Sequence, residues 1–266
     1  MTLTNGKLIL AKDYPADADV KAYVTAVETA DGQSLEPAVI AAYDNFIVGC
    51  KSDGIWDAIK ASCILAGART LSGALVPLAG TAPTNNNFVS GDYNRKTGLV
   101  GNGSNKYLLT NYFVDASIPN AHAGVFVTTR DSSTRVSYIS GTGVSGGLQL
   151  ETGVTLSHRA FTTCLNASAE QSLDYYIVDS VYYGLSRSDL NAYSRSRGST
   201  VTTINSSFVA TTDISPAVFA ARNSTGVISG YSSARIAFYS IGEALDLAKL
   251  DARISTLISD LGAAIP

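Results

Sequence analysis

Apolar positions change their period along this chain. Behind Asp17, a residue suited to capping, Val20, Tyr23, Val24 and Val27 recur at helical spacing, and Asp31-Gly32 supplies a stop. A second helix is predicted from Ser34, with Pro37 tolerated in its first turn and Val39, Tyr43, Phe46, Ile47 and Cys50 on one face. A third is predicted behind Asp53, with Trp56, Ile59 and Cys63 on its apolar side and Gly67 ending it. Together these define a helical layer over 17–66.

After Pro77 the texture changes. Residues 80–87, Gly-Thr-Ala-Pro-Thr-Asn-Asn-Asn, form a turn-rich connector, and from Phe88 the pattern is strand and turn. Strands are predicted at 97–100, 106–109, 124–129, 136–140, 148–151, 155–158, 172–180 and 182–187, the spacing of a sandwich rather than of alternating strands and helices. Across 175–185 the odd positions Tyr175, Ile177, Val181, Tyr183 and Leu185 are mostly apolar, so one face meets a core. The stretch 191–199 reads as an exposed strand with its turn. In 215–245, two β-prone runs, Val218 to Arg222 and Arg235 to Ile241, flank a turn-rich loop and close the sandwich. A helix follows from Asp246, its Leu247, Leu250, Ile254, Leu257 and Leu261 forming a two-heptad seam that suits packing on its own sandwich or a subunit contact. The organisation expected is an extended arm (1–16), a helical region with its connector (17–83), a β-sandwich (84–245) and a C-terminal helix (246–266).

Composition narrows the partners. Of 266 residues only 15% are charged, with net charge −3, which removes any general attraction to nucleic acid phosphates. Abundant Gly, Ser, Thr and Asn, with 14 Tyr against 8 Phe, suit a sandwich with a polar, Tyr-decorated exterior. No run is long enough for a signal-peptide core or a membrane span, so no membrane insertion is expected. Cys50, Cys63 and Cys164 form no CxxC pair and are expected as buried free thiols from a reducing compartment. The tripeptides at Asn102, Asn166, Asn205 and Asn223 match a glycosylation pattern but read as turns.

Catalytic chemistry needs convergent titratable groups, and few are visible. His122 and His158 belong to no metal-ligand spacing, so no metal or cofactor is expected. Cys164 has no histidine beside it in sequence, leaving His158 as a conceivable spatial partner. Glycoside hydrolysis takes two facing carboxylates, whereas Glu151 stands alone on its strand, Glu170 lies in a turn, and Asp174 and Asp179 differ by an odd offset. The glycine-rich runs 101–104 and 141–147 lie between predicted strands and read as hairpin turns, without the Lys-Ser/Thr ending of a phosphate loop. Tyr193, Arg195 and Arg197 could form a strip contacting sugar or phosphate, and Tyr93 with Arg95 a second such turn. The same residues also suit a charged edge strand that resists edge-to-edge pairing.

The segments Gly98-Leu99-Val100-Gly101-Asn102-Gly103-Ser104-Asn105-Lys106-Tyr107-Leu108, Val218-Phe219-Ala220-Ala221-Arg222-Asn223 and Arg235-Ile236-Ala237-Phe238-Tyr239-Ser240-Ile241-Gly242-Glu243-Ala244-Leu245 together resemble the laminin-G-like, concanavalin A-type jelly roll. With the helical stretch from Phe46 to Trp56 ahead of them, they resemble structural proteins of tailed-bacteriophage virions over residues 34–260. The resemblance implies a mainly β, concanavalin A-like antiparallel sandwich with an N-terminal helical region and a C-terminal helix. It implies a non-enzymatic virion protein, made in the host cytoplasm, that is a tail fibre or host-recognition appendage, with a capsid decoration protein as the alternative. Other virion proteins, copies of itself and host surface carbohydrate are the partners it implies. An acidic metal cluster of the calcium-dependent lectin kind is missing from the pattern. A glucanase-like carbohydrate-active enzyme is the alternative of another class, and a freestanding cellular lectin a third.

Overall fold

The computed structural model describes residues 2–4, 7–9, 15–133, 136–152, 159–166 and 170–266. The strand expected at 155–158, with His158, lies outside the described residues. A small hairpin of β1 (Thr2–Thr4) and β2 (Lys7–Ile9) stands where an extended arm was expected. Helices α1 (Ala18–Asp31) and α2 (Pro37–Ser52) lead to β3 (Ile59–Ile64) and the single turn α3 (Leu71–Ala74). The strands that follow are β4 (Thr84–Asn86), β5 (Tyr93–Asn94), β6 (Gly98–Val100), β7 (Tyr107–Leu109), β8 (Ala121–Thr129), β9 (Ser137–Thr142), β10 (Gly147–Thr152), β11 (Arg159–Asn166) and β12 (Glu170–Tyr176). They continue as β13 (Val181–Arg187), β14 (Ala192–Arg197), β15 (Thr200–Asn205), β16 (Ala217–Val218), β17 (Ala221–Arg222), β18 (Ile228–Ser229) and β19 (Arg235–Gly242), before α4 (Leu247–Ala264).

Two largely antiparallel sheets stack face to face, the mainly β sandwich with flanking helices that the resemblance implied. One runs β15-β14-β13-β8-β19-β6-β5 with β3 on β19, and the other β12-β11-β10-β9-β16-β7-β4 with β17 and β18 attached. Val125, Val127, Leu185, Ile236 and Ile241 meet Ile139, Leu148, Leu150 and Val218 between them. The first sheet has a second buried face, where Phe126, Ala237 and Phe238 meet Val39, Tyr43, Phe46 and Ile47 of α2 and the Leu247, Leu250, Ile254, Leu257 and Leu261 seam of α4. The seam is thus consumed within the chain. We call this the covered sheet and the other the open sheet, because among the described residues the helices pack on the former and none is laid across the latter. Among the described residues, no helix is long and apolar enough to cross a membrane.

Local signals explain the helices. Asp17 accepts from the amides of Asp19 and Val20, and Gly32 ends α1 in the left-handed region (φ 66°). α2 begins with Pro37 as its first residue and Glu36 as cap, three residues later than the start expected at Ser34. The third helix expected after Asp53 is absent. Gly54 (φ 71°) closes α2, a short 3-10 turn covers Trp56–Ala58, and residues 59–64 pair with β19. Cys63 and Leu65 face the inter-sheet core while Ile64 and Ala66 face the helices. The run Ile59-Lys60-Ala61-Ser62-Cys63 does alternate as a strand would, but it is short, and the helical spacing of Trp56, Ile59 and Cys63 across it favoured a helix. Asp53 pairs with Arg253 of α4 instead (Nε to Oδ2 2.7 Å).

The run 175–185 is likewise divided. β12 belongs to the open sheet and β13 to the covered one, with 177–180 crossing between them and Ser180 at φ 58°.

Asp251 of α4 is 6% exposed, and Ser255 Oγ at 3.2 Å donates to its carboxylate. Burial raises its pKa. The native state then holds this proton to higher pH than the unfolded chain, so stability falls as pH rises from the ordinary aspartate range through the raised pKa. Asp251→Asn is expected to remove that slope and to raise Tm at neutral pH by roughly 2–4 °C, the worth of about 1 kcal/mol in a chain of this size. Thermal melts of both proteins across acid to neutral pH check it; an Asn variant less stable at neutral pH would contradict the assignment.

Candidate functional site

The outer face of the open sheet gathers polar side chains in register. Ser140, Gln149 and Thr163 stand abreast on β9, β10 and β11, while their chain neighbours Ile139, Leu148, Leu150 and Cys164 point into the core. Glu151 lies one row further along β10. Its partner across β9 is Ser137, because a bulge at Tyr138 shifts the register there. Ser137 and Ser140 therefore face the same way despite their odd spacing.

Glu151 Oε1 accepts from Ser137 Oγ (2.8 Å), Ser140 Oγ (2.8 Å) and Gln149 Nε2 (3.2 Å). Three donors on one oxygen fix the carboxylate. The opposing wall comes from the stretch 217–223. β16 runs antiparallel to β9, Phe219 adopts φ 68° and buries its ring against Phe88 at 5.0 Å, and the chain turns back so that β17 runs parallel to β9. That reversal delivers Arg222 and Asn223. Asn223 Oδ1 accepts from the amides of Thr225 and Val227 (3.0 and 2.8 Å) and holds the turn that follows.

Ser137, Thr142, Gln149, Glu151, Arg222 and Asn223 line a cleft of about 500 Å³. Among the described residues Glu151 is the one carboxylate lining it, and Arg222 has no carboxylate partner. The arrangement offers one charged acceptor, one charged donor fork and several groups that both donate and accept. Such groups can pair with hydroxyls, each of which takes a donor and an acceptor. Phe161, half-buried, is the cross-strand partner of Glu151 and the nearest aromatic residue in that row. Among the described residues no group of three His, Cys, Asp or Glu could hold a metal ion.

The residues singled out from sequence lie elsewhere. Tyr193, Arg195 and Arg197 do share a face, but β15 forms the edge beyond them, and their face is turned inward opposite Leu185 and Tyr183. Tyr193 is 2% exposed and shares a hydrogen bond with Thr162 Oγ1 (2.8 Å), and Arg195 is 7% exposed. The expectation of an exposed strip at 191–199 is thus corrected. The cause is that this face of β14 points into the sandwich, where Tyr193 reaches Thr162 of β11 in the other sheet. Tyr93 and Arg95 serve the junction with the helices: Tyr93 Oη donates to Ala68 O (2.7 Å), and Arg95 grips both oxygens of Glu36 (3.0 and 2.7 Å) and the carbonyls of Gly67 and Ala68 (3.0 Å each).

His122 is fully buried, its ring nitrogens 2.6 Å from Glu243 O and 3.2 Å from Ser240 Oγ, and burial pulls its pKa down to about 4. It stays neutral and structural. Cys50, Cys63 and Cys164 are free and buried as expected, with burial pushing each thiol up to about 12, far from a reactive thiolate. Asp179 sits on an exposed turn and accepts from the Arg130 amide (2.7 Å). The run 101–104 is a turn in which Asn102 Oδ1 receives three amides, and 141–147 is the β9–β10 hairpin.

Sequence reasoning weighed Glu151 and passed over Ser137, Ser140, Gln149, Thr163, Arg222 and Asn223. The available signal was the Arg222-Asn223 pair at the end of an otherwise apolar run. No family model and no curated protein matches the chain. Among solved structures, domain 4 of AbnA, a GH43 extracellular arabinanase from Geobacillus stearothermophilus in complex with arabinotriose, is similar over 66% of this chain and 82% of its own, at 12% identity and a TM-score of 0.44. The CBM40 of the Ruminococcus gnavus IT-sialidase bound to α2,3-sialyllactose is similar over 52% of this chain and 83% of its own, at 10% identity and a TM-score of 0.39. A mutant of Trypanosoma rangeli sialidase displaying trans-sialidase activity is similar over 91% of this chain and 39% of its own, at 12% identity and a TM-score of 0.49, so the chain spans well under half of that enzyme.

Proposed function

We propose that the chain is a non-enzymatic, lectin-like binding module, and that it serves as a tail fibre or host-recognition appendage of a tailed-phage virion. The observation that carries the binding role is the division of labour between the sheets: helices seal one, and the other keeps a preformed polar cleft at Glu151 and Arg222 facing outward. Host surface carbohydrate is the ligand class, and copies of the chain with other virion proteins are the assembly partners. The likeness of residues 34–260 to virion proteins supports the particle context. A cleft in which Glu151 is the one carboxylate among the described residues favours binding over hydrolysis, which takes a pair.

A glycan array probed with the wild type, Glu151→Gln and Arg222→Ala tests the binding role. Each variant is expected to lose about tenfold or more in affinity for whichever glycan the wild type retains, as fits the loss of a charge-assisted hydrogen bond. Equal retention by all three proteins would remove the cleft from the reading. Product release from any bound oligosaccharide would turn it toward a glucanase-like enzyme. Labelled antibody on intact particles addresses the location: decoration of the tail supports the appendage, and decoration of the head would replace it with a capsid protein.

A further inference from the structure

A second cavity of about 230 Å³ adjoins the first on the open sheet, and Thr142 and Gln149 line both. Its far side is made by Ser145, Gly147, Thr163 and Asn166. Thr163 is 2% exposed, yet its hydroxyl has no hydrogen-bond partner among the described residues. Buried hydroxyls are nearly always satisfied, so an unpartnered one on a residue that lines a cavity marks a place where a ligand group can complete it. The β9–β10 hairpin that flanks the cavity is tied down, with Ser145 N donating to Thr211 Oγ1 (3.0 Å) and Gly143 N to Gly146 O (2.8 Å). The cavity therefore exists before any ligand arrives.

The two cavities follow one strand. Glu151, Gln149 and Gly147 succeed one another on one face of β10, a span of roughly 13 Å at the rise of an extended chain. This exceeds one pyranose ring. We infer that the open sheet binds a linear oligosaccharide along β10 through two adjoining subsites, one at Glu151 and Arg222 and the other at Thr163, with Gln149 between them. The inference rests on the carbohydrate reading above and adds to it that the ligand is a chain segment rather than a single terminal sugar. Thr163 would supply the hydroxyl that the second ring satisfies.

The test uses the full chain and arabino-, xylo- and gluco-oligosaccharides from one to five units, with affinity measured by calorimetry and the threonine methyl groups followed by NMR. Affinity for the preferred series is expected to rise about tenfold once the second subsite is filled, the worth of a well-placed hydrogen bond. The Thr163 methyl signal should shift with oligomers and stay still with the monosaccharide. Thr163→Val, close in shape and lacking the unsatisfied hydroxyl, is expected to lose the length-dependent gain while keeping monosaccharide affinity within about twofold. Glu151→Gln should weaken every length alike. A wild type that binds one unit as tightly as five would overturn the two-subsite inference and leave the binding role standing. No binding by any series, with no glycan retained on the array, would overturn both.

Discussion

Replacing Arg187 with methionine is expected to destabilise the fold by about 3–4 kcal/mol, the largest loss anticipated for any single polar residue here. Arg187 is fully buried on β13 and spends its donors on backbone carbonyls: Nε on Cys164 of β11, Nη1 on Asp189 (2.9 Å) and Nη2 on Ser206 (3.0 Å). Its guanidinium also lies 5.4 Å from the Tyr193 ring centre. One side chain thus ties together both sheets and the two ends of the β14–β15 hairpin. Burial draws its pKa down, yet three carbonyls keep the charge solvated from within. Methionine fills much of the volume and leaves those acceptors unpaired. Arg187→Lys should recover part of the loss, because a single ammonium cannot reach three diverging carbonyls. Urea unfolding of the three proteins measures this; a methionine variant as stable as wild type would show that the carbonyls find other donors.

Arg95→Ala is expected to lower stability by about 2–3 kcal/mol and to act on one part of the molecule more than the rest. Arg95, in the β5–β6 turn, holds Glu36 at the start of α2 in a two-pronged pair, with Arg69 adding a third contact to the same carboxylate (3.1 Å). The Arg95 guanidinium holds the Glu36 pKa below the usual glutamate value. A lowered pKa contributes stability that is present above the ordinary glutamate range and is lost as pH falls through the depressed value. The alanine variant should therefore lose stability at neutral pH and show a shallower acid dependence. Hydrogen exchange should quicken across Ala18–Asp31 and Pro37–Ser52 before it does across β8 and β19. Uniform acceleration over both layers would argue that Arg95 supports the whole fold and not the junction alone.

How far the sequence could be read depended on whether a segment has one buried face or two. α1, α2 and α4 each bury a single stripe, so Asp17, Pro37, Asp246 and the leucine seam marked them clearly. Residues 59–64 are buried on both faces apart from Lys60, and the spacing of Trp56, Ile59 and Cys63 masked their short alternation. Tyr193 and Arg195 suffered the opposite error, since a polar strand looks exposed unless one knows that its face meets β11 of the other sheet. The cleft was illegible for a geometric reason. Ser137 and Ser140 reach Glu151 together only because of the bulge at Tyr138, and Arg222 arrives through the left-handed turn at Phe219. Neither event leaves a trace in the spacing of polar residues.

The position of β19 in the covered sheet has a consequence for synthesis. This strand joins β3, β6 and β8 and supplies residues to both cores, yet it spans residues 235–242. At the usual pace of translation, roughly 10–40 s separate the emergence of α2 from that of β19. During that interval the apolar stripes of α1 and α2 lack Ala237 and Phe238, the centre of the platform on which they dock. A nascent chain paused just before β19 is therefore expected to depend on chaperones, and release past Gly242 to free it from them.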